Sequence, residues 1–335
     1  MDSDERSGGE LRKSVKIRRR GDEEETPTDR LTHLPGPIIY HILSLLETNF
    51  AVQTSVLSRD WNRAWKHVPV LNLQRNSFET AAKFNSFVSK VLSLRYNLKL
   101  DKVVYVGGDA NLPNPGKGNK SVSVINYALS HGAQHLVVHR QSCKTVFRDF
   151  SSVFSEYCNG DNNNNNNNKH NNNLKTLDLK LVTLDAGFGA CSGFPMLTTL
   201  NLTDCDLGNE GVLTLVNFPC LENLVVAQCF PSDGPGRRMK IYGPHLLTLE
   251  VKHTGLCDFD IFAPKLEFLG LRQNVSSNGF IDTALPTLDR AYIELTTSDV
   301  STMGKRRVGH YLNSLFQVLQ SAKTLRINWS TLEVR

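Results

Sequence analysis

The sequence predicts an α/β chain in two parts: a short all-α unit near the N-terminus, then a solenoid with parallel β-strands on its concave face and helices or irregular segments on its convex face. Three observations carry this expectation. Residues 29–67 are dense in aliphatic side chains at helical spacing. From residue 174 onward a short leucine motif recurs in tandem. Between them, short runs of Val and Leu alternate with helical stretches.

Residues 1–28 are polar and hold seven Lys/Arg against eight Asp/Glu, which reads as a disordered tail. Its basic run from Arg12 to Arg20 has the composition of a nuclear-import signal, and with no apolar leader or span the expected compartment is the nucleus and/or the cytoplasm. In the next segment Leu34, Ile38, Ile42 and Leu45/Leu46 recur at helical spacing, with Pro35 and Pro37 in the first turn, where a missing N–H costs little. Residues 51–58 and 60–66 predict two further short helices, with Val52/Val56 and Trp61/Trp65 each one turn apart. A unit this small needs a partner or a larger body to lean on. Residues 68–100 read as a linker region with a helix over 78–95.

Strands are expected at 103–106 and 136–138, with a helix over 122–130 between them. The seven consecutive asparagines at 162–168, followed by Asn171–Asn173, predict a disordered insertion at about 159–173, since a polar homopolymer cannot bury enough surface to offset chain entropy. Beyond it come Leu174-x-x-Leu177-x-Leu179, Leu197-x-x-Leu200-x-Leu202-x-x-Cys205, Leu221-x-x-Leu224-x-Val226-x-x-Cys229, Leu246-x-x-Leu249-x-Val251 and Leu266-x-x-Leu269-x-Leu271-x-x-Asn274. A weaker copy, Leu288-x-x-Ala291-x-Ile293, follows. The steps between central positions are 23, 24, 25, 20 and 22 residues. Both motif and step are those of leucine-rich repeats. One repeat cannot bury its strand's apolar face, but stacked neighbours can. Residues 101–335 are therefore expected to form a leucine-rich-repeat domain, and 209–218 reads as a convex helix.

Composition narrows the function. A formal charge of +5, spread diffusely, is not the concentrated patch of a nucleic-acid binder. No apolar stretch is long enough for a membrane span, and no apolar leader opens the chain. The seven cysteines are odd in number and contain no C-x-x-C, which fits free thiols in a reducing compartment. Cys205 and Cys229 fall at the repeat position that holds a buried Asn or Cys, so a structural role is expected rather than metal binding. His131, His135 and His139 are four apart, but Gly132 and the following strand separate them by about 13 Å per step. The Gly116-Lys117-Gly118 loop lacks the order of a phosphate-binding loop. No catalytic residues, metal site or cofactor are expected.

Residues 29–65 resemble the plant F-box. The matching string is Asp29-Arg30-Leu31-x-x-Leu34-Pro35, Ile38, Ile42-Leu43-Ser44-Leu45-Leu46, Ala51-Val52-x-Thr54-Ser55-Val56-Leu57-Ser58-Arg59-x-Trp61, then Trp65. The order F-box, spacer helix, irregular leucine-rich repeats looks like the large plant F-box/leucine-rich-repeat family, some members of which end in an FBD domain. The resemblance implies a non-catalytic receptor subunit of a ubiquitin ligase. Its F-box would bind a Skp-type linker subunit, and through it a cullin and a RING protein. It assigns linker binding to Leu34, Pro35, Ile38, Ile42, Leu43, Leu46, Val56, Leu57 and Trp61. Gly36 and Asp60 depart from the family pattern, which often has an acidic residue at the first and Lys/Arg at the second. The sequence stops near where the FBD would follow, so the alternatives are a repeat scaffold outside any ligase or a truncated, non-functional F-box protein. An unknown protein substrate is expected on the concave face, where residues between the core leucines point. Glu250, Lys252, Phe268, Arg272, Arg290, Tyr292 and Glu294 form the candidate patch, because aromatics and Arg dominate binding hot spots.

Overall fold

In a computed structural model the described residues are 31, 34–107, 120–141, 173–184, 188, 194–208, 211–231, 238–254, 258–274, 283–296 and 305–328. The charged tail, the Gly-rich loop and all but the last residue of the asparagine-rich segment lie outside them.

Three short helices open the fold: α1 (Gly36–Leu45), α2 (Thr48–Gln53) with a 3-10 turn at Thr54–Val56, and α3 (Arg59–Ala64). Pro35 and Pro37 start α1, and the Ser58 hydroxyl caps α3 by accepting from the Trp61 N–H at 3.4 Å. Then the main sheet begins. Its strands in chain order are β1 (Val70–Gln74), β2 (Lys102–Gly107), β3 (His135–Arg140), β4 (Thr176–Lys180), β5 (Thr199–Thr203), β7 (Asn223–Ala227), β9 (Thr248–Lys252), β11 (Phe268–Asn274), β12 (Arg290–Thr296) and β13 (Thr324–Ile327). Each pairs in parallel with the one before it, giving a ten-stranded sheet.

The register aligns the motif leucines into rows. Leu71, Val103, Leu136, Leu177, Leu200, Leu224, Leu249, Leu269 and Ala291 stand side by side, all buried. This is the α/β leucine-rich-repeat solenoid the motif predicts. The sheet starts earlier than the motif does. Val70 to Gln74 already pairs with β2, so residues 70–94 are the first unit of the solenoid and not a linker. Successive units at this end are long, 32 residues from Leu71 to Val103 and 33 from Val103 to Leu136. They have room for the helices α4 (Ala81–Leu94) and α5 (Lys120–Ser130). A third helix, α6 (Lys305–Val318), precedes β13.

The 20–25-residue units in the middle have no such room. There the second layer is a three-stranded parallel sheet of β6 (Val212–Thr214), β8 (Arg238–Tyr242) and β10 (Asp258–Phe262). In place of the helix expected over 209–218, residues Val212–Thr214 form a strand. Its Val212-Leu213-Thr214-Leu215 run alternates half-buried and buried residues, the period of a strand. Gly211 enters it with φ 59°, and a Cβ there would lie 2.5 Å from the Arg238 carbonyl oxygen.

After each of β4, β5, β7 and β9 one residue adopts the left-handed conformation: Leu181, Asp204, Gln228 and His253, with φ of 57°, 51°, 54° and 49°. The next residue in each case, Val182, Cys205, Cys229 or Thr254, turns into the core. The turn is lost at β11, where the strand continues through Gln273 and Asn274 to pair with Leu295 and Thr296.

Candidate functional site

Two surfaces stand out. The first belongs to the N-terminal helices. Ile39 and Leu43 of α1 and Trp61, Ala64 and Trp65 around α3 form their inner face. Trp61 is 2% exposed, and its indole N–H donates to the Leu31 carbonyl at 3.1 Å. The outer face is apolar as well. Val56 is 88% and Leu45 72% exposed, with Ile38, Phe50 and Leu57 beside them in the exposed class. Isolated exposed apolar residues are ordinary, but a group this dense on about thirty residues marks an interaction surface.

These helices are tied firmly to the sheet. Arg95, at the end of α4, donates to the Trp65 carbonyl at 3.1 Å and to the Val68 carbonyl. Burial holds its pKa below the ordinary arginine value. The Thr48 hydroxyl accepts from the Asn72 N–H at 2.9 Å, satisfying a donor on the outer edge of β1. The helical unit therefore closes one end of the solenoid.

The second surface is the open face of the sheet over β9, β11 and β12. Glu250, Lys252, Phe268, Gly270, Leu271, Arg272 and Tyr292 line a cleft of about 190 Å³. The register puts Glu250, Gly270 and Tyr292 in one row and Lys252, Arg272 and Glu294 in the next. A Glu294 carboxylate oxygen accepts from Arg272 Nε and from the Tyr292 hydroxyl, at 2.7 and 3.2 Å, and so fixes both walls. The same contact raises the Arg272 pKa above its ordinary value. Lys252 pairs with Glu250 at 2.5 Å, and the Arg290 guanidinium lies 5.8 Å from the Phe268 ring centre.

Towards the N-terminal end the same face is polar. His139 Nε2 lies 2.9 Å from Asp178 and His135 Nδ1 2.8 Å from the Thr176 hydroxyl. Cys205 and Cys229 are buried, with Cys205 Sγ 3.3 Å from the Thr203 carbonyl and Cys229 Sγ 3.4 Å from the Ala227 carbonyl. The Cys205 sulfur beside it, with burial, pushes the Cys229 thiol up, so it stays neutral. Among the described residues no three His, Cys, Asp or Glu side chains gather as metal ligands, and no helix is long and apolar enough to cross a membrane.

No protein-family model matches the chain. Among curated proteins of Arabidopsis thaliana, a putative F-box/LRR-repeat protein is 24% identical over 80% of this chain and 52% of its own length. An F-box/LRR-repeat protein is 24% identical over 91% of the chain and 61% of its own length. A putative F-box/FBD/LRR-repeat protein is 31% identical over 59% of the chain and 42% of its own length. The chain is homologous to the plant F-box/leucine-rich-repeat proteins. It spans about half the length of these curated relatives.

The helical unit is the segment that resembles the F-box, and its residues divide in two. Of the nine positions that the resemblance assigned to linker binding, Pro35, Ile38, Val56 and Leu57 are exposed, and Leu34, Ile42 and Leu46 are half-buried. Leu43 and Trp61 are each 2% exposed and shape the F-box from within, so neither presents a side chain to a partner in this structure. Leu45 and Phe50 are not among those nine, yet they belong to the open apolar residues. The helical spacing in the sequence contains Leu45, but spacing cannot say which of Leu45 and Leu46 turns outward.

Proposed function

We propose that this chain is the substrate-recognition subunit of a Skp-cullin-F-box ubiquitin ligase. The F-box binds the linker subunit, and the open face of the repeats binds a protein substrate. The observation that carries the reading is the apolar outer face of the F-box, with Ile38, Leu45, Phe50, Val56 and Leu57 open while the inner face is packed. Burying each such side chain in an interface contributes about 1.5–3 kcal/mol. The homology to F-box/LRR-repeat proteins supports the same reading.

The mechanism requires no bond chemistry from this chain. A bound substrate is held near a ubiquitin-charged enzyme elsewhere in the assembly, and the gain is effective concentration. Glu250, Lys252, Phe268, Arg272, Arg290, Tyr292 and Glu294 are the proposed substrate contacts, because they combine aromatics, Arg and a cleft.

The test is co-expression with a plant Skp-type linker and a pull-down on the full chain. Wild type should retain the linker. Val56→Asp with Leu45→Asp should lose it, with no change in melting temperature, because both side chains are already exposed. The same loss is expected of Leu34→Ala with Pro35→Ala. Linker bound equally by wild type and both double variants would sink the F-box assignment, leaving a repeat scaffold that works outside a ligase.

A further inference from the structure

We infer that the cleft over Gly270 is a subsite for a single aromatic side chain, presented by an acidic, extended peptide segment. The inference rests on the reading of the open face as the substrate surface and specifies what that surface takes. Size comes first. At about 190 Å³ the cleft is smaller than the roughly 300–1,000 Å³ of sites that enclose a whole small molecule. It has room for one side chain, with the rest of the partner lying outside it.

Shape and chemistry come next. The floor is Gly270, and the walls include two aromatic rings, Phe268 and Tyr292. A Cβ on Gly270 would approach Glu250 Cγ at 3.2 Å and Phe268 Cε1 at 3.3 Å, so the cleft depends on the absence of a side chain there. A flat ring between aromatic walls gains offset or edge-on contact that an aliphatic group does not. Tyr292 is held by its hydroxyl to Glu294, so that wall is set before a partner arrives.

Charge decides the flanking residues. The open-face positions of β9, β11, β12 and β13 carry Lys252, Arg272, Arg290 and Arg326 against Glu250 and Glu294, a net charge of +2 by difference. Lys252 and Arg272 are neutralised by those two carboxylates. Arg290 shares one carboxylate, Asp289, with Lys323: its own ion pair is the longer, at 3.8 Å against 3.1 Å. The surplus positive charge therefore sits at the β12–β13 end of the cleft and favours carboxylates beside the anchoring ring. Two carboxylates within the cleft region are a poor match for a phosphate backbone, which prefers a concentrated basic surface.

The experiment measures fluorescence anisotropy on the full chain. The probe is a labelled decapeptide with one tryptophan flanked by aspartates. Three controls accompany it: the same peptide with alanine for tryptophan, the same with lysines for aspartates, and a single-stranded DNA 12-mer. Wild type should bind the first peptide at least tenfold more tightly than either peptide control, and the difference should shrink in high salt. Gly270→Val fills the floor with a residue suited to a strand, and Tyr292→Ala removes an exposed wall. Each should weaken the tryptophan peptide at least tenfold while linker retention in the pull-down is unchanged. Equal binding of the tryptophan and alanine peptides, no binding by wild type, or wild-type affinity in both variants would overturn the inference. Tighter binding of the DNA, lost in the same variants, would also overturn it. Linker retention is scored on the same samples, so failure of the cleft is separable from failure of the ligase reading.

Discussion

At the scale of single residues, the repeats place non-glycine side chains in a conformation they disfavour. Leu181, Asp204, Gln228 and His253 all have positive φ directly after a strand. The left-handed region costs a residue with a Cβ about 1–2 kcal/mol. The cost is repaid next door, where the chain drops Val182, Cys205, Cys229 or Thr254 into the core. Gln228 is exposed and is the cleanest place to observe that cost. Replacing it with Gly removes the Cβ penalty and adds about 0.5–1 kcal/mol of unfolded-chain entropy. The net expectation for Gln228→Gly is a rise in melting temperature of about one to a few degrees. A calorimetric scan checks it, and a fall would mean the Gln228 side chain contributes more than its strain.

At the scale of elements, the contact between α2 and β1 is the informative one. A strand at the edge of a sheet exposes unpaired donors and acceptors. Here Thr48, at the start of α2, is buried and accepts the Asn72 N–H. Thr48→Val keeps the shape and removes the acceptor, leaving a half-buried donor unpaired at a cost of about 0.5–1.5 kcal/mol. Hydrogen exchange should show the Asn72 amide losing protection, with the β4 and β5 amides unchanged. Unchanged protection at Asn72 would show that the helical unit does not close this end. The Arg95 bonds to the Trp65 and Val68 carbonyls act in the same direction. Together they make the helical unit part of the solenoid body rather than a unit on a flexible tether.

At the scale of the whole molecule, the two ends of the sheet differ. Along the motif row every residue from Leu71 to Ala291 is buried, but Leu325 on β13 is 41% exposed. The row ends there among the described residues, so Leu325 has a neighbouring strand on one side only. In a solenoid each unit is stabilised by its own packing and by its two neighbours. The same substitution should therefore cost very different amounts at two places in one row. Leu269→Ala is expected to lose about 2–5 kcal/mol, as for a buried leucine. Leu325→Ala should lose under about 1 kcal/mol, in line with its partial exposure. Chemical denaturation of the two variants checks the contrast, and equal losses would show that the end of the sheet is covered in solution.

The motif strands β4, β5, β7, β9, β11 and β12 are legible in the sequence, because a buried face repeated every 20–25 residues leaves a periodic record in Leu and Val. The sequence also determined which residues line the open face from β4 to β12, since side chains alternate strictly along a strand. The structural role of Cys205 and Cys229 was legible for the same reason, at a fixed place in the motif. Beyond the early start of the sheet at β1, two matters rest on tertiary packing. One is the second layer: whether 212–214 becomes helix or strand depends on the room left by a short unit and on β8 beside it, and neither is encoded in ten residues. The other is which apolar residues of the N-terminal helices face outward. Leu43 and Leu45 are equally apolar in the chain, and Trp61 looks like an ideal contact. Only the placement of α1 and α3 against each other buries Leu43 and Trp61 and leaves Leu45 and Val56 open. Periodicity reports that a residue has a buried side, whereas the partner that buries it is chosen by contacts far apart in sequence.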